Sequence, residues 1–253
     1  MPEQLWFTEI LHHLFAGPVT GLLRALRIEP KYPQAPITNA VAMELLVFLF
    51  LVTLFLLVRA RLSVDKPGAL QHIFEGAHGF VEGQSQEIIG HHSEPYTPFL
   101  MTLAFFILLS NLLGLIPGFE SPTADKVVPL GCAVCAFIYY HVQGIRKKGI
   151  GTYAAHFLGP SDSSMPLFIR VPLSILMLPI EIVSHLARLL SLTVRLWANM
   201  FAGDLVTMAF FSMISIGLPV IFLGLHLAVS FLQTYIFILL TMVYLSGAVA
   251  EEH

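Results

Sequence analysis

The apolar residues of this chain fall into long uninterrupted runs, and five of these are long enough to cross a bilayer. A helix rising ~1.5 Å per residue crosses the ~30 Å hydrocarbon layer in about 20 residues. The runs predict spans at about 40–58, 98–116, 127–142, 171–214 and 218–249. The first begins near Ala40 and ends at Val58, with Arg59, Arg61 and Lys66 directly behind it. The second ends at Pro117 and Gly118, and the third is followed by Arg146, Lys147 and Lys148. Between the first two, residues 61–97 are too polar to span. Glu75, Gly76, His78, Glu82 and Glu87 there predict a helix and loop outside the lipid. Ahead of the first span, Trp6, Phe7, Ile10, Leu11, Leu14 and Phe15 recur at helical spacing, which predicts an amphipathic segment lying on the membrane. Pro30, Pro33 and Pro36 mark the loop after it. The division is thus an N-terminal segment, 1–38, and an integral membrane domain, 39–253, in an all-α fold.

The fourth run is unusual. Apart from Pro172 and Pro179 near its start, no turn signal interrupts the helical pattern from Val171 to about Ile214. About 44 residues make ~66 Å of helix, more than a bilayer accommodates at the usual tilt of ~20°. Either the segment is strongly tilted, or it breaks within the polar stretch 187–199. A break would make six spans and place Arg188 and Arg195 in an external loop. The fifth run, 218–249, is also longer than a perpendicular crossing needs.

Composition agrees with burial in lipid. Of 253 residues, 56% are hydrophobic and 11% charged, whereas soluble domains carry about one quarter charged residues. The formal net charge of −3 lacks the basic footprint that nucleic-acid binding needs. Basic clusters after the first and third spans belong in the cytoplasm by the positive-inside rule, which puts the N-terminus outside and, with five spans, Glu251, Glu252 and His253 inside. The first residues lack the pattern of a cleaved secretory signal, so the first span is expected to direct insertion. Cys132 and Cys135 form a CxxC, but their apolar flanks predict two small hydrophobes on a lipid-embedded helix. The pair His91 and His92 has no well-spaced third and fourth ligand, so neither metal nor cofactor is expected.

Charges inside spans are costly and usually functional, and the fourth run holds Glu181, His185, Arg188, Arg195, Asn199 and Asp204. At about 100° per residue, Glu181 and Asn199 share a bearing, while Arg188 and Arg195 lie about 20° and 40° to one side. Asp204 points about 180° from Arg195 and ~13.5 Å further along the axis. The fifth run adds His226 and Gln233, seven apart on one face. An antiparallel hairpin turning near 214–217 brings Arg195 level with Gln233, and Asp204 level with His226. Straight helices cannot make both pairs face directly, so the match is one of depth.

The stretches SLTVRLWANMFAGDLV (191–206) and FLQTYIFILLTMVYLSGAVAEEH (231–253) resemble the a subunit of F-type ATP synthases. FFILLSNLLGLIPGFESPTAD (105–125) and HVQGIRKKG (141–149) are similar to the same family, and the resemblance covers residues 40–253. It implies five membrane helices, the last two a tilted hairpin against a ring of c subunits, with b subunits of the peripheral stalk and the F1 sector as further partners. The expected location is a bacterial inner membrane. Carried over, Arg195 matches the family's essential arginine, Asn199 the asparagine one turn on, and Gln233 the glutamine near that arginine. Glu181, Asp204 and His226 match positions lining aqueous half-channels. Trp197 and Ala198 stand where relatives often have Phe and Gly. The implied function is a stator that carries protons past a rotating ring and is not catalytic alone. The competing reading, an ion-coupled secondary transporter, would normally show repeated halves with interrupted helices, which this chain does not display.

Overall fold

A computed structural model describes residues 5–25, 37–63, 66–90, 93–116, 119–157, 167–213 and 217–250. Among these residues eight α-helices follow one another: α1 (Trp6–Ala25), α2 (Asn39–Ala60), α3 (Ala69–Ile89), α4 (Thr97–Leu113), α5 (Val127–Lys148), α6 (Ile150–Phe157), α7 (Leu167–Met213) and α8 (Gly217–Val249). Short 3-10 turns at Glu94–Tyr96 and Pro122–Ala124 lead into α4 and α5, and no strand occurs among the described residues.

Among the described residues, five helical stretches are long and apolar enough to cross a membrane: Asn39–Ala60, Glu94–Leu113, Val127–Lys148, Pro172–Phe210 and Val220–Val249. The chain is therefore an all-α, multi-pass membrane protein. Helix α7 runs unbroken through 187–199, so Arg188 and Arg195 sit in mid-helix and not in a loop. Pro172 and Pro179 lie inside it without ending it. The proposed hairpin turn falls largely on residues 214–216, and the charged C-terminus on 251–253, outside the described residues. His91 and His92 also lie outside them. Helix α2 opens on Thr38, whose hydroxyl accepts from the Val41 amide at 3.4 Å, satisfying one of the amides a helix start leaves free. Helix α5 closes on Arg146, Lys147 and Lys148, whose charges complement the negative end of the helix dipole.

One cluster joins α3, α4, α5, α7 and α8 around Leu100, Ile107, Ala136, Leu196, Phe237 and Leu245. Small residues at Ala133 and Ala136 let α5 approach its neighbours, as membrane interfaces without a hydrophobic driving force require. A buried polar knot fastens the end of α4: Thr123 donates to Asn111 Oδ1 at 2.6 Å, Ser121 donates to the Ser110 carbonyl at 3.0 Å, and Asn111 reaches the Ser230 carbonyl at 3.5 Å. Cys132 is buried and Cys135 exposed, and both are free thiols.

Helix α7 is different from the rest. In its most apolar stretch only 6% of residues are buried, against 50% for the span containing α4. It packs on α5 and α8 along one stripe and leaves Ile182, Val183, Leu186, Leu190, Val194, Leu205 and Met208 facing outward.

Candidate functional site

The buried stripe of α7 is made by Leu192, Thr193, Leu196 and Met200. At about 100° per residue these side chains centre near a bearing that leaves Arg195 about 115° to one flank and Asp204 about 65° to the other. Arg195 is exposed and makes no hydrogen bond or ion pair with any described residue. Asn199, one turn on, is also exposed, and its amide nitrogen donates to Gln233 Oε1 at 2.7 Å. Gln233 itself is 1% exposed, and its buried Nε2 has no hydrogen-bond partner among the described residues. The depth match of the sequence thus resolves one turn later than expected, with Gln233 meeting Asn199. Asn199 lies about 40° nearer the packed stripe than Arg195 does, so it reaches α8 while the guanidinium stays outside.

Asp204 and His226 do meet. Asp204 Oδ1 stands 3.8 Å from His226 Nδ1, beyond hydrogen-bond range but within reach of electrostatic attraction when the imidazole is charged. His226 is 4% exposed, and its Nε2 has no partner among the described residues. Gly203 makes room for this ring: a Cβ there would stand 3.0–3.1 Å from three of its atoms. Glu120 lies close enough to interact electrostatically with Asp204, and its Oε1 accepts from Asn39 at 3.3 Å. This group therefore sits where α7 ends and α8 and α2 begin.

A second group lies at the opposite end of the bundle. His185 is 8% exposed; its Nε2 stands 3.2 Å from Glu181 Oε1, and its Nδ1 is 2.8 Å from the Tyr140 hydroxyl. The i, i+4 spacing puts the carboxylate and imidazole on one helix face. Arg188 lies over the Tyr244 ring, 5.3 Å from its centroid, a cation–π contact that anchors its charge. Sequence reasoning did not single out Tyr140, His141, Tyr153 or Glu120. His141 carried a usable signal, an ionisable side chain at the end of a span. Tyr140 carried none, because its partner is 45 residues away and no periodicity links them.

Along α7, Glu181 precedes Arg195 by ~21 Å and Asp204 follows it by ~13.5 Å. The site is therefore a cation, unpaired among the described residues, on an exposed flank of α7, with a histidine–carboxylate pair toward each end. Among the described residues, no group of three or more His, Cys, Asp or Glu side chains is arranged to hold a metal ion.

Known proteins resemble this chain along nearly its whole length. The ATP synthase A chain family matches residues 41–246. ATP synthase subunit a of Koribacter versatilis is 54% identical over 253 residues, the full length of both chains. The subunit of the same name from Solibacter usitatus is 53% identical over 222 residues, covering 87% of this chain and 91% of the other. That of Geotalea uraniireducens is 38% identical over 226 residues, covering 89% and 94%.

Proposed function

We propose, from the premise that this chain belongs to the ATP synthase A chain family, that Arg195 is the fixed charge separating two proton half-channels. Membership makes the chain a membrane stator subunit of the F-type ATP synthase, in which proton translocation is coupled to ATP synthesis. The secondary-transporter alternative receives no support from these relatives.

The chemistry follows from what each residue can and cannot do. An arginine does not lose its proton in a protein, so Arg195 holds charge and carries nothing. A carboxylic acid on a c subunit crosses lipid in its neutral form, because the ionised form has a large desolvation cost. Opposite Arg195 the carboxylate is favoured, and the proton leaves into one half-channel. Once past the cation, the site takes a proton from the other half-channel and returns to lipid neutral. Each charge moved across the membrane draws ~2.3 kcal/mol per 100 mV, and with direct passage blocked that energy goes into rotation.

Asp204 and His226 serve one half-channel, Glu181 and His185 the other. Imidazole, with an ordinary pKa near 6.5, takes and releases protons in the physiological range. Asn199 and Gln233 offer donors and acceptors that orient the ring carboxylate as it passes. The c-subunit ring faces the exposed flank of α7 that carries Arg195, while the b subunits and the F1 sector join through the assembled complex. The location is a bacterial inner membrane, with the N-terminus outside and the Arg146–Lys148 cluster and C-terminus cytoplasmic. The chain carries no catalytic step of its own.

The single observation that carries this reading is the position of Arg195: exposed, unpaired among the described residues and between two histidine–carboxylate pairs. The test is ATP-driven proton pumping by the assembled complex with either Arg195→Ala or His226→Ala. The expected result is no pumping in the first and slowed pumping in the second. Equal coupled rates in the two variants would remove Arg195 from this role.

A further inference from the structure

Behind Glu181 and His185, α5 and α6 carry polar side chains that the function above does not use. His141 Nδ1 is 2.6 Å from the Tyr153 hydroxyl. The His141 ring stands 4.8 Å, centroid to centroid, from that of His185 and 4.3 Å from that of Tyr140. Tyr140 and Tyr153 are 2% and 8% exposed. Two hydrogen-bonded pairs, His185–Tyr140 and His141–Tyr153, therefore abut without an apolar residue between them. Phe137 lies against both His141 and His185 and closes the group on one side.

The fold makes a specific accommodation for the outermost member. Helix α6 turns back on α5 after Gly149, which lays the Tyr153 ring against Gly144. A Cβ at Gly144 would overlap that ring and come within 3.1 Å of the Ala248 carbonyl. Only a glycine leaves the room that puts the Tyr153 hydroxyl beside His141. The group also lies at the end of the bundle that carries Arg146, Lys147 and Lys148.

Resting on the half-channel reading, we infer that His141 and Tyr153 extend the half-channel behind Glu181 as a side-chain proton relay, reaching the α6 surface. Both nitrogens of His185 are engaged, one by a carboxylate and one by a phenol, so a proton taken at Nε2 from Glu181 is matched by one released at Nδ1 to the Tyr140 hydroxyl. The proton passes next to His141, whose ring is close enough to both Tyr140 and His185 for a ring nitrogen to reach them by rotation. From His141 Nδ1 it passes to the Tyr153 oxygen as the phenol proton leaves toward the surface. Each member ends with the number of protons it began with. Imidazoles and phenols suit this task because each can accept at one position while donating at another.

The test uses the assembled complex in native membrane vesicles, with Tyr153→Phe, His141→Ala and Glu181→Gln compared for ATP-driven pumping and for passive proton flux after F1 is stripped. Tyr153→Phe keeps the ring and loses only the hydroxyl. Both relay variants are expected to lower the two fluxes several-fold at unchanged amounts of assembled complex. Added imidazole should partly restore His141→Ala, which a merely structural role would not allow. Normal fluxes in both relay variants, or losses that only track assembly with no rescue by imidazole, would overturn the relay. In that case a slowed Glu181→Gln leaves the half-channel standing, whereas a normal Glu181→Gln removes the half-channel as well.

Discussion

An unpaired guanidinium on the lipid-facing side of a helix costs about 2.5–3.5 kcal/mol on insertion scales, and Arg195 has nothing among the described residues to offset it. On the proposed function, a carboxylate arriving on a neighbouring ring would supply that compensation. Gly203 and Gln233 show the same economy on the inner side. Because a side chain at 203 would press on the His226 ring, Gly203→Val is expected to displace the imidazole and lower proton pumping several-fold. The smaller Gly203→Ala should lower it less, as vesicle acidification measures. Gln233→Leu removes the acceptor of the Asn199 amide. Interhelical hydrogen bonds in membranes average only about 0.6 kcal/mol, so assembly should persist in this variant while ATP synthesis falls.

Helix length sets how α7 and α8 sit in the membrane. The apolar part of α7, Pro172–Phe210, has 39 residues, or ~58 Å of helix, so fitting it within ~30 Å of hydrocarbon requires a tilt of about 60° from the membrane normal. The 30 residues of Val220–Val249 in α8 require a tilt near 50° by the same arithmetic. A helix lying this obliquely offers a long side face, with Arg195 between the two polar groups. Inserting one alanine between Trp197 and Ala198 would turn everything beyond it by about 100°. The expected result is a complex that assembles poorly or pumps nothing, measured as acidification per assembled complex. The spans were legible as long apolar runs, whereas the length of the fourth run left a strongly tilted helix and a break within 187–199 both open, and the family resemblance favoured the tilted helix. The partner of Gln233 was not legible, since bearings on straight helices give depth but not which of two neighbours one turn apart fills the contact. The Glu181–His185 pairing was legible from its spacing, whereas its link to Tyr140 comes from the packing of α5 on α7, which no local pattern encodes.

At the scale of the whole molecule, the two polar groups lie toward opposite ends of the bundle, which gives the fold a direction across the membrane. In the proposed orientation, the positive charge behind α2 and at the end of α5 lies in the cytoplasm. In a background free of Cys132 and Cys135, Lys147→Cys should react with an impermeant maleimide only in inside-out vesicles, and Glu9→Cys only in right-side-out ones. The reversed pattern would invert the assignment of the half-channels while leaving their separation intact. That separation is the central claim, and its most direct measurement is ATP-driven pumping together with passive proton leak in membranes carrying the complex with Arg195→Ala. Lost pumping with a retained or increased leak is the predicted result, because the two half-channels would then be joined. Normal pumping would contradict the account and leave Arg195 a structural residue.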